Sequence, residues 1–139
     1  NKIKNKINFK FKNLIKGKNK QLLQNYIKKN NLSKNVKLAG YKKNPYPYIK
    51  KADIFILSSK FEGLPNVLIE SQHLKKIIIS TRCPTGPKEI LLNGRAGFLF
   101  DVANVEQLKN RIIFITKKKN LKIIKKNINK YFYLVKKYL

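Results

Sequence analysis

The sequence predicts an α/β domain built on a doubly wound sheet of about five parallel strands, with helices on both faces. Three observations carry this expectation. The run Ile54–Leu57 is apolar throughout and Ile77–Ser80 nearly so, which is the pattern of strands buried on both faces of a parallel sheet. Segments with apolar residues at helical spacing separate such runs, as in βαβ units with right-handed crossovers. The chain has 139 residues, room for one core and not for two. No repeat or low-complexity linker divides it, so a single domain over 1–139 is expected.

The elements follow in order. Residues 7–15 alternate apolar and polar at first, a strand signal. Within 19–31, Leu22, Leu23, Tyr26 and Ile27 stand at helical spacing, and Asn30-Asn31 closes the helix. Val36–Ala39 is a short strand ended by Gly40. Residues 45–52 hold Tyr46, Tyr48 and Ile49 in one or two helical turns. Pro65 takes the first position of a helix that runs to about Leu74, where its missing N–H would be unpaired anyway. Residues 87–92 form a short helix stopped at Asn93-Gly94, and Gly97–Phe100 is the last strand. Residues 104–116 and 119–138 are amphipathic helices.

Lysines interrupt every hydrophobic stretch, so no run of eighteen apolar residues occurs. Residues 1–20 lack the apolar centre of a secretory signal, and a cytoplasmic protein is expected. Cys83 is the only cysteine, which excludes an intramolecular disulfide and a zinc cluster. The formal charge of +27 points first toward nucleic acid. The basic residues, however, are 30 Lys and 3 Arg, whereas base edges are read by the forked guanidinium. With 17 Asn and 18 Ile beside them, the lysines match what an A/T-biased coding sequence produces. Such a surface still adheres to anionic lipid or polysaccharide at low salt.

All six acids (Asp53, Glu62, Glu70, Glu89, Asp101 and Glu106) fall between positions 53 and 106. Capping or pairing with lysine accounts for Asp101 and Glu106. Ligands of doubly wound sheets bind beyond the carboxyl ends of the strands, which selects the loops 40–45, 58–65 and 81–87. The loop from Ser58 to Asn66 passes Glu62-Gly63 and enters a helix at Pro65. The free N–H groups of Asn66, Val67 and Leu68 form an anion site aided by the helix dipole, and Gly63 admits close approach of a ligand. Glu70 stands roughly a turn and a half past Pro65. Two carboxylates flanking an anion site suit a ligand with a charged middle and hydroxyls on both sides, such as a nucleotide-sugar. A helix whose N-terminal acid merely complements the dipole would show the same pattern.

The stretch Glu62-Gly63-Leu64-Pro65-Asn66-Val67-Leu68-Ile69-Glu70 resembles the E-x7-E motif of retaining glycosyltransferases of the GT-B fold, family 4 in particular. Four further blocks extend the resemblance. Ala52–Ser59 is similar to that family's strand leading into the motif. Asn44-Pro45-Tyr46-Pro47-Tyr48 and Cys83-Pro84-Thr85-Gly86-Pro87-Lys88-Glu89-Ile90 are similar to segments of a subset of its members, and Asn93-Gly94 through Phe100 to a later strand. The match is strongest over 35–110. It implies the Rossmann-like C-terminal, donor-binding half of a GT-B enzyme, with the N-terminal acceptor domain outside 1–139.

The resemblance also implies roles. Glu62 would be the catalytic-site acid that contacts the hydroxyls of the transferred sugar, and Glu70 would hold the ribose hydroxyls. The backbone over Gly63, Leu64, Pro65, Asn66 and Val67 would bind sugar and diphosphate. Gly86 would shape the donor cleft, and Tyr41 lies where such enzymes often place a base, or else is a rim aromatic. The implied activity is hexosyl transfer from a nucleotide-sugar, UDP-linked, to a lipid- or polysaccharide-type acceptor, with no metal or cofactor. The implied partners are the donor, the acceptor, an N-terminal GT-B domain in cis or trans, and the anionic inner face of the cell membrane. A non-catalytic nucleotide-sugar-binding remnant is the alternative, and a basic nucleic-acid module is a weaker one.

Some positions depart from the pattern. The family's Gly-x-Gly turn reads Lys16-Gly17-Lys18, and Lys75-Lys76 stands where many members carry Gly-x-Pro. His73 has no second histidine with which to hold a metal, and Cys83 is expected to be a small loop residue. The aromatic and basic stretch Tyr131–Leu139 could pack on its own sheet, reach a partner domain or lie on an anionic membrane.

Overall fold

The computed structural model describes residues 10–13 and 19–136, and the side chains of 10 and 19–128. The Lys16-Gly17-Lys18 turn, the outer parts of the 7–15 strand and the side chains of Tyr131–Leu139 lie outside the described residues. The chain divides into two compact units, Asn1–Tyr46 and Pro47–Leu139.

In the first unit, β1 (Phe11–Asn13) pairs in parallel with β2 (Val36–Leu38) in the register Phe11↔Val36 and Asn13↔Leu38. Helix α1 (Lys20–Lys29) forms the crossover between them. Lys28 and Lys29 in its last turn complement the negative end of the dipole. Asn31 takes φ 54°, and its N–H donates to Lys28 O (3.0 Å) while Leu32 N–H donates to Ile27 O (2.9 Å). The Asn30-Asn31 stop therefore acts as a Schellman cap, with asparagine in the left-handed position that glycine usually takes.

Helix α2 (Tyr46–Lys51) runs from the boundary into the second unit and contributes the buried Ile49. Its sheet has the order β3 (Ile54–Leu57), β4 (Ile77–Thr81), β5 (Phe98–Phe100), and both pairings are parallel. Helix α3 (Asn66–His73) crosses from β3 to β4. Helix α4 (Pro87–Ile90) and a 3-10 turn (Leu92–Gly94) link β4 to β5. Helices α5 (Val105–Thr116) and α6 (Lys118–Lys136) complete the unit. The Asn104 side chain caps α5 by accepting from Gln107 N–H at 2.9 Å.

Helices cover both faces of this sheet, and the period of two along the strands sorts the core. Ile78 and Leu99 face Leu68 of α3 and Leu91 at the end of α4. Ile77, Ile79 and Phe100 face Ile115 of α5, with Ile112, Leu121 and Ile124 packed beside them. Each such aliphatic side chain contributes roughly 1.5–3 kcal/mol when fully buried.

The structure corrects two expectations. The strands form a two-stranded and a three-stranded sheet rather than one sheet of about five. Ile54–Leu57 is only partly buried throughout, since among the described residues β3 pairs with β4 alone; the fully buried strand is β4, which has a partner on each side. Among the described residues no helix is long and apolar enough to cross a membrane.

At the end of α3, Lys75 N–H donates to Gln72 O (2.8 Å) and Lys76 N–H to Ser71 O (3.0 Å), while Lys75 sits at φ 55°. This is again a Schellman cap, now with lysine in the left-handed position. A Cβ there costs roughly 1–2 kcal/mol. Lys75→Gly is therefore expected to raise stability by about 1 kcal/mol, read as a higher urea midpoint with an unchanged slope.

Candidate functional site

Two loops meet at the carboxyl ends of β3 and β4. β4 ends at Thr81, and the chain then bends over 84–86 before α4, carrying Thr81, Cys83 and Thr85 along the same loop. All three bond to the loop that follows β3. Thr81 Oγ1 donates to Ser59 O at 2.7 Å, Cys83 Sγ to the same oxygen at 3.3 Å, and Thr85 Oγ1 to Glu62 O at 2.8 Å. Thr81 and Cys83 are buried. Cys83 is thus a small structural donor, as its place in the loop implies, and its thiol is occupied.

Gly86 closes the seam. It sits at φ 81° as the residue before α4, a conformation that L side chains rarely adopt. A Cβ on it would overlap the carbonyl oxygen of Gly63 and stand 2.8 Å from Pro65 Cδ. Gly63, by contrast, has open space where its own Cβ would be. The two glycines therefore serve different ends. Gly86 lets the loops touch, and Gly63 leaves its outer side clear.

Pro65 is buried and takes the N-cap position of α3, one residue earlier than the first-turn place its sequence suggests. Leu68 N–H donates to Pro65 O at 2.9 Å, so of the three first-turn amides expected to be free, Asn66 and Val67 remain for a ligand. Leu68 is fully buried and orients the helix, with Ser71 and Gln72 on the same buried side. Asn66 and Glu70 are four residues apart and share a face, about 6 Å along the axis.

The acids divide into two sets. Asp53 pairs with Lys125 (3.5 Å), Asp101 with Arg82 (3.6 Å), and Glu106 with Lys109 (2.7 Å). Asp101 also receives the Gln107 amide at 2.9 Å; Glu106 is the lysine partner the sequence suggests, whereas the partner of Asp101 is an arginine. Glu62, Glu70 and Glu89 make no ion pair or side-chain hydrogen bond among the described residues. In a chain of 33 basic residues and 6 acidic ones, the carboxylates at the loop, on α3 and on α4 are the ones left available, and the first two flank the start of α3.

Other positions lie elsewhere. Tyr41 belongs to the first unit, just after Gly40 (φ 68°), and is 68% exposed. His73 is exposed on α3, and no group of three or more His, Cys, Asp or Glu among the described residues could hold a metal ion. A cavity of about 210 Å³ opens at the amino ends of β4 and β5, among Lys75, Lys76, Ile77, Arg95, Phe98 and Ile124. That is the opposite end of the sheet from the two loops. The sequence reading missed the Thr81, Thr85 and Cys83 contacts; their signal is three hydrogen-bonding side chains at every second position.

Residues 1–131 match the model of the glycosyl transferases group 1, and the chain belongs to that family. It is 49% identical over 75 residues to an uncharacterized glycosyltransferase of Methanocaldococcus jannaschii, covering 54% of this chain and 18% of that protein. It is 38% identical over 78 residues to N-acetylgalactosamine-N,N'-diacetylbacillosaminyl-diphospho-undecaprenol 4-alpha-N-acetylgalactosaminyltransferase of Campylobacter jejuni, covering 56% and 21%. The chain thus spans about a fifth of the length of these relatives. Its fold is similar to that of TarM of S. aureus, solved as a mutant in complex with fondaparinux, alpha-GlcNAc-glycerol and UDP. The TM-score is 0.82 at 21% identity, over 99% of this chain and 27% of that one. The α/β architecture is that of the Rossmann-like domains of GT-B glycosyltransferases.

The contrast between glycines gives a prediction. Gly86→Ala meets both a forbidden φ and the Gly63 carbonyl, whereas Gly94→Ala meets only its φ of 92° in open space. Strain of this kind costs about 1–3 kcal/mol. Chemical denaturation is expected to show Gly86→Ala as the more destabilised of the two by at least about 1 kcal/mol.

Proposed function

We propose that this member of the glycosyl transferases group 1 is the donor-binding part of a retaining hexosyltransferase that uses a UDP-sugar. The observation that carries the reading is the pair of unpaired carboxylates, Glu62 and Glu70, on either side of an amide-rich turn in a lysine-saturated chain. Carboxylates alone would repel a diphosphate. Placed at its two ends they accept from hydroxyls, while amides meet the charge between them. Glu70 takes the ribose hydroxyls, and Glu62 acts in the catalytic site on the hydroxyls of the transferred sugar. The backbone N–H groups of Gly63, Leu64, Asn66 and Val67 take sugar and phosphate oxygens. Pro65 fixes the entry of the chain into α3, and Gly86 holds the turn in place.

Transfer breaks the bond between the anomeric carbon and the terminal phosphate oxygen of the donor, and negative charge grows on that oxygen. Fixed amides and the positive end of α3 stabilise the charge without reorganising, so this reading requires neither metal nor cofactor. The acceptor hydroxyl attacks the anomeric carbon, and its proton passes to the departing phosphate oxygen. The acceptor is a saccharide or a lipid-linked saccharide. The lipid diphosphate named for the Campylobacter jejuni relative supports this choice. The charge of +27 favours a peripheral position on the anionic, cytoplasmic face of a membrane. Acceptor binding and turnover depend on a second GT-B domain, in cis or in trans.

Glu70→Ala is expected to weaken UDP binding about tenfold or more, the range for losing hydrogen bonds to a charged group. Glu106→Ala, which removes only an exposed pair with Lys109, is expected to leave it unchanged. Titration calorimetry reads both. A wild-type chain that binds neither UDP nor a UDP-sugar would refute the donor-binding reading.

A further inference from the structure

We infer that Thr85 is a positioning residue that aims two successive amides, those of Gly63 and Leu64, at an anionic oxygen of the ligand. The inference rests on the donor-binding reading and deepens it.

The peptide bonds here are planar and trans, since the described chain holds no cis bond, so each N–H points opposite to the carbonyl of the preceding residue. The Glu62 carbonyl accepts the Thr85 hydroxyl at 2.8 Å and therefore points into loop 81–87. The Gly63 N–H in the same peptide plane consequently points away from that loop. The next plane repeats the arrangement. The oxygen of Gly63 lies nearer to the Cβ position of Gly86 than its carbonyl carbon does, the carbon standing at 3.1 Å. The Gly63 carbonyl thus also faces loop 81–87, and the Leu64 N–H faces outward.

Two carbonyls turned to one side leave two amides turned to the other, which is the concave donor pair that binds anionic oxygens. The outer side is open. Gly63 has no atom within 4 Å of its Cβ position, and Leu64 is 63% exposed. Gly86 holds the second plane by contact alone. The first plane is held by a hydrogen bond, and among the described residues its side-chain donor is Thr85. Without that hydroxyl, the Glu62–Gly63 peptide is free to rotate and the Gly63 amide loses its aim. Glu62 would keep its side chain while its neighbouring amide did not.

The test compares Thr85→Val, which keeps the shape and removes the hydroxyl, with Thr85→Ser, which keeps the hydroxyl. Each full chain is titrated with UDP and with uridine. Thr85→Val is expected to bind UDP about three- to tenfold more weakly, with uridine binding unchanged and Thr85→Ser restoring the wild-type value. Equal UDP binding by wild type and Thr85→Val would overturn the inference while leaving the donor site intact. Parallel loss of UDP and uridine binding would also overturn it, because a merely structural role affects both. A wild-type chain that binds no UDP would fail the donor-binding reading itself, and the positioning role with it.

Discussion

The contact between the Gly63 carbonyl and the backbone of Gly86 is the constraint on which the site depends. It exists because residue 86 has no side chain and can hold a positive φ. Around it, Thr81, Cys83 and Thr85 tie the loop after β3 to the loop after β4 at Ser59 and Glu62. A turn that must present its backbone to a ligand cannot also use that backbone for regular secondary structure. It has to be held from one side. Here the sheet supplies the holding side through β4, the fully buried strand with a partner on each edge. The core that orients α3 through Leu68 therefore also bears on the amides at the start of α3.

Electrostatics follows the same division of labour. A chain with a net charge of +27 repels itself, and its few acids are expected to relieve that repulsion locally. Asp53, Asp101 and Glu106 do so, each through an exposed pair worth at most about 1 kcal/mol. Glu62 and Glu70 do not, although lysines abound. Leaving them unpaired forgoes little stability, because surface pairs contribute little, and it leaves two carboxylates available for hydroxyl groups.

Much of this was legible from residue types. The apolar runs placed β3 and β4, the asparagine pair placed the end of α1, and Asn104 marked the start of α5. The E-x7-E spacing and the Gly86-Pro87 dipeptide pointed to the two loops that the structure brings together. What escaped is physical in origin. Burial of a strand depends on its neighbours in the sheet, which the run Ile54–Leu57 does not encode, so the degree of burial of β3 was overestimated. The left-handed positions at Lys75 and Asn31 follow from cap hydrogen bonds that override the preference for glycine. The Thr85 bond to Glu62 spans 23 positions, a separation over which local pattern carries no signal.

The most direct test of the central claim is to map the backbone amides of the chain by NMR during titration with UDP. The account predicts that the largest shifts fall on residues 62–70 and 85–87, with saturation at a single site. Shifts concentrated at Lys75, Lys76 and Arg95, by the cavity at the other end of the sheet, would contradict it. So would weak, unsaturating shifts spread over the lysine-rich surface, the mark of nonspecific anion binding.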